Sequence, residues 1–243
     1  MTEPDFTGRV ALVTGSSHGI GAAIADALAL RGARVIRHGL EPTPPNGVAE
    51  TNWVEGDLAQ PNGGAMLATR ALARASQIDI VVSTVAIQTR ATFAEVSDQD
   101  VVRTMTVNMG AGFALMQALI PPMMARGWGR VVTIGSVQQR KPRPDMPIYA
   151  ATKAGQAHLA ANLARQVADR GVTVNNVAPG VVLTGRNADA LADPSYRASV
   201  LAEIPAGRFG RVEEVAALVT FLCSRAADYV TGQDIAIDGG MGA

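Results

Sequence analysis

The sequence predicts an α/β protein: a doubly wound parallel sheet of about seven strands, with helices on both faces, folded as a single domain. Three observations carry this. Short apolar, β-branched runs alternate with longer segments rich in Ala, Leu and Met at helical spacing, the pattern of successive βαβ units. The short runs are almost continuously apolar, as strands covered on both sides must be. And 243 residues, 48% hydrophobic and 17% charged, suit one large core better than disorder or two small domains.

The first strand is expected over 9–14 and a helix over 20–31, followed by a strand over 34–37. The stretch 41–47, Glu-Pro-Thr-Pro-Pro-Asn-Gly, has three prolines and a glycine, so a loop stands where the repeat would place a helix. Helix 64–75, strand 78–83, helix 98–120 and strand 130–135 resume the alternation. A helix over 149–170 and a strand over 172–177 come next; a helix over 213–224 leads to a last short strand near 234–237. The segment 183–208 is polar, carries Gly185, Pro194 and Pro205, and follows a strand; that position predicts a lid over a ligand.

The corner after the first strand reads Thr14-Gly-Ser-Ser-His-Gly-Ile-Gly21. Gly15 permits a tight turn, and Gly19 and Gly21 let backbone and ligand approach closely. The helix behind them then aims unpaired N–H groups and partial positive charge at a pyrophosphate. A glycine triplet alone also fits a plain strand–turn–helix corner, but its place in the first βαβ unit favours dinucleotide binding on a Rossmann-type sheet. Asp57, in Gly56-Asp-Leu58, is placed to accept a hydrogen bond from an adenine amino group, or simply to cap the next helix. At the end of the second strand an acidic residue would hold ribose hydroxyls, and an Arg a 2′-phosphate. Arg37-His-Gly-Leu-Glu41 has neither at positions 39 and 40. His18, Arg37 and His38 are the nearby cations or potential cations and Glu41 the opposing carboxylate. The cofactor is therefore read as NAD or NADP, with a lean to NADP.

Tyr149-Ala-Ala-Thr-Lys153 puts a phenol and an ammonium at i and i+4, on one helix face. A free tyrosine titrates near ~10, and a neighbouring cation should lower that value toward a useful range for proton transfer. Ser136 ends the strand 130–135, thirteen residues before Tyr149, and could donate to the same oxygen. An amphipathic helix face would explain the Tyr–Lys pair alone; the serine in this context points to a reacting centre.

Together these residues resemble the short-chain dehydrogenase/reductase family in its single-domain form, over essentially the whole chain. The resemblance rests on TGSSHGIG at 14–21, Asp57, Asn108, Ser136, YAATK at 149–153, NNVAPG at 175–180 and TGQDIAIDGGM at 231–241. It implies an oxidoreductase that moves hydride between a nicotinamide and a secondary alcohol or ketone. Tyr149 would be the general acid/base. Lys153 would lower its pKa and hold the nicotinamide ribose, while Ser136 would position and stabilise the substrate oxygen. Asn108 would hold a water linking Lys153 to solvent. Pro179, Gly180 and Val182 would line the nicotinamide pocket, with Thr184 bonding its amide or the pyrophosphate. The expected cofactor contacts are then Gly15, Ser17, His18, Gly19, Ile20 and Gly21 at the first turn, and His38, Gly39, Asp57 and Leu58 toward the adenosine. Thr84, Ala86, Tyr149 and Lys153 complete them with the 179–184 residues. One departure stands out: where the family usually has Asn-Asn-Ala-Gly, this chain has Ser83-Thr-Val-Ala86, adding bulk where backbone passes close to the cofactor.

The substrate end should be bounded by Gln138, Gln139, Arg140, Lys141, Arg143, Met146, Arg186 and Asn187, with Ser136, Gln138, Tyr149, Arg186 and Asn187 as contacts. This polar, cationic set suggests a polar hydroxy compound such as a sugar acid or hydroxy acid; many of these residues could equally face solvent. Two alternatives stand beside that reading: a 3-oxoacyl thioester reductase, and a catalytically lapsed NAD(P)-binding regulator motivated by Ser83-Thr-Val-Ala86. The 21 acidic residues balance the 21 basic ones, so no global field favours nucleic acid or an anionic membrane, and no metal cluster is expected. The lone Cys223 reads as a core residue. The start, Met-Thr-Glu-Pro-Asp-Phe, lacks a signal-peptide layout, and no apolar run reaches the length of a membrane span. A cytoplasmic protein is expected. The small residues of the long helices 98–120 and 149–170 allow close packing inside the subunit or across a two-fold axis, and the family resemblance, in which those helices pair subunits, implies a homotetramer.

Overall fold

The computed structural model describes residues 5–243; Met1–Pro4, part of the acidic start noted above, lies outside them. Seven parallel strands form one sheet: β1 (Val10–Val13), β2 (Arg34–Gly39), β3 (Trp53–Glu55), β4 (Ile80–Ser83), β5 (Gly129–Ile134), β6 (Val172–Pro179) and β7 (Asp234–Ile237). Their order is β3-β2-β1-β4-β5-β6-β7, so the winding reverses between β1 and β4. Eight helices surround the sheet: α1 (Gly19–Leu30), α2 (Gly63–Ala75), α3 (Asp98–Met105), α4 (Ala111–Arg126), α5 (Pro147–Val167), α6 (Gly185–Ala192), α7 (Pro194–Ala202) and α8 (Val212–Cys223).

The continuous apolar strands serve two cores at once, because successive side chains leave opposite faces. Leu12, Val81, Val131 and Val174 pack with residues of α2, α4 and α5. Their neighbours Ala11, Val13, Ile80, Val82 and Val132 pack with α1 and α8. Cys223 is fully buried in this second layer, where burial pushes its thiol up to about 12. It is the core residue that the sequence suggested.

Several elements differ from expectation. The three-residue β3 is too short to stand out as an apolar run, yet Trp53 and Val54 are buried and pair with Arg37 and His38. The single helix expected over 98–120 is α3 and α4 joined by a π-helical turn at Thr106–Gly110, and it continues past Pro121 and Pro122 to Arg126. The prolines deprive the carbonyls of Gln117 and Ala118 of their usual partners. Both residues are exposed to water, while buried Leu119, Ile120 and Met123 hold the turns to the core. Gly127, with φ 69°, then ends the helix in the left-handed region. Finally, 183–208 is mostly helical: Asp193 caps α7 through the N–H groups of Ser195 and Tyr196. Leu191, Val200, Ile204 and Phe209 gather around Val137 and Met241 in a small core of their own.

Candidate active site

Where the strand order reverses, the loops after β1 and β4 diverge and leave a crevice at the carboxyl ends of the strands, the usual ligand position in open α/β sheets. A cleft of about 1070 Å³ opens there, lined by residues from the first turn, the ends of β4, β5 and β6, the start of α5, and the 183–208 segment.

The glycine corner forms one wall. Gly15 and Gly19 have φ of 59° and 61°, and a Cβ on Gly21 would stand 2.2 Å from the Gly15 carbonyl oxygen, so the turn closes only with glycine. It delivers the N-terminus of α1 to the cleft with no side-chain cap and no acidic residue in its first turn. Those uncapped N–H groups fit an anionic pyrophosphate.

His38 departs from its expected part. It is buried beneath the turn: Gly15 N–H donates to Nδ1 at 3.1 Å, and Nε2 lies 2.9 Å from the Gly56 carbonyl. That pairing fixes a neutral imidazole with its proton on Nε2, and burial lowers its pKa further. His38 is thus a brace, not a cation for a 2′-phosphate. Arg37 is likewise committed, to Asp26 of α1. His18 remains exposed, its ring 2.9 Å from the Ser17 hydroxyl. Gly39 lies under the Glu41 carboxylate and the Trp53 ring. Asp57 is exposed and accepts from the Ala59 N–H and the Gln60 amide, which hold its carboxyl below the usual range. Leu58 is buried in the first core layer, and neither it nor Asp57 lines the cleft.

The departure at Ser83-Thr-Val-Ala86 resolves into a clamp. Thr84 N–H donates to Thr14 Oγ1 at 3.0 Å, and Thr84 Oγ1 donates back to the Thr14 carbonyl. Val85 packs toward the core layer below α2 and α4, so most of the added bulk turns into the protein. Ala86 packs against Met146 and Tyr149.

Asn108 sits in the π-helical turn, a distortion that recurs at functional sites. Its Oδ1 accepts from Ile87 N–H at 2.9 Å, and its Nδ2 donates to the Ile87 carbonyl at 3.0 Å and to Thr152 Oγ1 at 3.1 Å. Both amide hydrogens are spent, so the side chain ties the exit of β4 to α5. As placed, the side-chain amide has no hydrogen left for the water-holding role that the resemblance implies.

Pro147 begins α5, which puts Tyr149 in the first turn and Lys153 one turn later on the same face. Ser136 leaves the end of β5; its Oγ accepts from Gln138 N–H at 3.2 Å, and it lies near enough to Tyr149 to favour the phenolate. Lys153 is buried and donates to the Ile134 carbonyl at 2.6 Å and to Gln156 Oε1 at 3.1 Å. One of its three hydrogens stays available. Burial, then the nearby Arg186 charge, bring Lys153 down to about 7. Tyr149 does not show the lowered pKa expected from its lysine. Burial raises it, opposed by the Ser136 hydroxyl and the Arg186 charge.

On the substrate side, Gln138, Lys141, Arg143, Met146, Arg186 and Asn187 line the cleft as expected. Gln139 and Arg140 do not: both turn to Asp234 at the start of β7. Asn187 is a capping residue, bonding Thr184 N–H and the Val182 carbonyl. Gln156, Ile87 and Thr152 were not singled out from sequence. Gln156 was in principle legible, lying three residues after Lys153 on the same helix face, whereas the Ile87 and Thr152 contacts span 21 and 44 residues of sequence.

Comparison with known proteins agrees with this geometry. A family model described as enoyl-(acyl carrier protein) reductase matches residues 15–242. The 3-oxoacyl-[acyl-carrier-protein] reductase FabG of Escherichia coli (strain K12) is 36% identical over 242 residues, 98% of each chain. Nodulation protein G of Rhizobium sp. (strain N33) is 38% identical over 242 residues, with the same coverage. Among solved structures, a 3-oxoacyl (acyl-carrier-protein) reductase from Agrobacterium tumefaciens C58 with NADP bound superposes with TM-score 0.93 at 41% identity, over 97% of this chain and 95% of that one. A gluconate 5-dehydrogenase from Burkholderia cenocepacia J2315, in complex with NADP and tartrate, gives 0.90 at 32% identity, over 98% and 96%. With the glycine turn, the Ser–Tyr–Lys grouping and relatives matching end to end, the chain belongs to the short-chain dehydrogenase/reductase family, as an NAD(P)-dependent oxidoreductase of secondary alcohols and ketones.

Proposed function

We propose that the enzyme interconverts a polar hydroxy compound and its ketone, with Ser136, Tyr149 and Lys153 at the reacting carbon, the segment 183–208 as a lid, and NADP favoured over NAD. The observation that carries it is the character of the cleft: Ser136, Tyr149 and Lys153 share it with the polar and cationic side chains of Gln138, Lys141, Arg143, Arg186 and Asn187. The relative crystallised with NADP and tartrate, itself a hydroxy acid, supports the same substrate class.

The nicotinamide supplies or accepts hydride when bound. The chain's own groups handle the proton and the geometry. In reduction, the Tyr149 phenol gives its proton to the carbonyl oxygen as that oxygen becomes an alkoxide; in oxidation the phenolate takes it back. Ser136 Oγ accepts from Gln138 N–H, so its own hydrogen is free to bond the substrate oxygen and stabilise developing charge. Lys153, anchored on Ile134 and Gln156, directs its remaining hydrogen toward the cofactor ribose. Asn108 keeps α5 and the β4 exit in register.

A 3-oxoacyl thioester reductase is the second reading, favoured by the relatives of that name at 36% identity. We also propose a cytoplasmic location, supported by a single reduced, buried thiol. Residues 5–243 contain no helix long and apolar enough to cross a membrane and no cluster of metal-ligating side chains. A homotetramer completes the proposal. Apolar side chains are exposed in two places: Phe93, Val102, Met105 and Phe113 around α3 and α4, and Phe221 on α8 with Tyr229 just after it.

Tyr149→Phe and Lys153→Ala test the assignment. Each should remove nearly all turnover on any accepted ketone while circular dichroism stays unchanged; a rate near wild type in either would overturn the roles. Fluorescence titration with NADPH and NADH tests the cofactor, with tighter NADPH binding expected. Failure of a folded sample to bind either would bring forward the lapsed-regulator alternative.

A further inference from the structure

Four cations other than Lys153 line the cleft, and three are committed to carboxylates. Lys141 pairs with Glu203 at 3.1 Å, Arg143 with Asp145 at 3.0 Å, and Arg90 with Asp145 at 3.3 Å. Arg186 differs. Its Nη2 donates to the Ala86 carbonyl at 3.0 Å, and it forms no ion pair among the described residues, not even with Asp189 one turn along α6. A guanidinium carries five donors in a planar fork suited to a carboxylate, and Arg186, exposed and lining the cleft, keeps most of that capacity for a ligand.

The position of that charge is specific. Ala86, whose carbonyl it grips, shares a buried cluster with Met146 and Tyr149, so this exposed side chain is anchored toward the reacting end of the cleft. Thr184, two residues earlier, abuts Gly19 of the glycine turn, so the cofactor phosphates are the competing anion that a test of Arg186 must separate from substrate. Arg186 and the buried Lys153 line the same cleft, and no ion pair among the described residues engages either of them.

Resting on the oxidoreductase reading above, we propose that Arg186 is a specificity-determining residue that binds a free carboxylate carried one or two carbons from the reacting carbon, making the substrate a 2- or 3-hydroxy acid and its oxo acid. A neutral ester or thioester at that place leaves the guanidinium unpaired, so the same charge selects against acyl thioesters.

The test compares 2-oxobutanoate and 3-oxobutanoate with their methyl esters in wild type, Arg186→Met and Arg186→Lys, alongside NADPH and NADH affinities of each. Wild type should prefer an acid to its ester. Arg186→Met should lower the acid-to-ester ratio of kcat/KM about ten- to a hundredfold, the effect of a lost charged hydrogen bond, mainly through the KM of the acid. Arg186→Lys should restore part of that ratio. The inference is overturned if wild type reduces the esters at least as well as the acids, if the ratio is unchanged in Arg186→Met, or if the substitution weakens NAD(P)H binding by as much as acid binding, which would place a cofactor phosphate on Arg186. Cofactor binding without turnover of any acid or ester would instead overturn the oxidoreductase reading itself.

Discussion

Lys153 shows how burial sets the state of a reacting group. A free lysine keeps its proton to about pH 10, but here exclusion from water and the Arg186 charge bring the value to about 7. Between these values the unfolded chain binds a proton that the folded one does not, so stability must rise with pH across that window. Wild type should therefore gain on Lys153→Met by up to about 1.4 kcal/mol per pH unit from pH 7 toward pH 10. Urea unfolding of both proteins at matched concentration across that range measures it, and a constant difference would mean that Lys153 keeps its charge in the fold. The same scale governs cofactor choice. Arg37 and His38 are spoken for, leaving exposed His18 against the Glu41 carboxylate over Gly39. Glu41→Gln should shift the ratio of affinities toward NADPH, read by paired fluorescence titrations; an unmoved ratio would place Glu41 outside the adenosine site.

At the level of elements, close backbone approach decides where side chains are tolerated. A Cβ on Gly64 of α2 would stand 2.0 Å from the Ala111 carbonyl oxygen at the start of α4, the end of the π-helical turn that carries Asn108. Gly64→Ala must push the two helices apart, at about 1–3 kcal/mol for overpacking, and the displaced turn should also loosen the Asn108–Ile87 clamp. A lowered melting temperature together with weaker cofactor binding is expected; an unchanged melt would show that the contact yields freely. Gly185 gives the opposite case. It opens α6, and a Cβ there meets nothing within 4 Å. Gly185→Ala should stiffen the lid helix by up to about 1 kcal/mol and, if lid opening limits release of product, lower kcat rather than raise it. The sequence supports only part of this reading. Helical period and apolar runs locate α1, α2, α5 and α8 to within a few residues, since those signals are local. The π-helical turn, the passage of α4 through two prolines, and the helices within 183–208 depend on which faces find a core. No local pattern carries that.

For the whole molecule, the two exposed apolar faces make a specific statement about assembly. Val102 is 65% exposed, and Tyr229 fully so, and the proposed tetramer assigns each to its own two-fold contact. Two distinct two-fold interfaces generate a tetramer. Light scattering on the eluting protein should give four times the 25.2 kDa chain mass, and Phe113→Glu or Tyr229→Glu should each leave dimers. A monomeric wild type would mean that these faces serve something else.

By itself the sequence determined the sheet with helices on both faces, the glycine turn, and the grouping of Ser136, Tyr149 and Lys153. Strand and helix periods are local, and short motifs fix residues whose separation along one turn or one strand end is nearly constant. Only the tertiary structure decided the charges. It made His38 a neutral brace, took Arg37, Gln139 and Arg140 out of the site, lowered the Lys153 pKa to about 7, and left Arg186 without an ion pair among the described residues. Such states depend on burial and on partners far away in the chain, and electrostatic free energy follows distance in space, not distance in sequence.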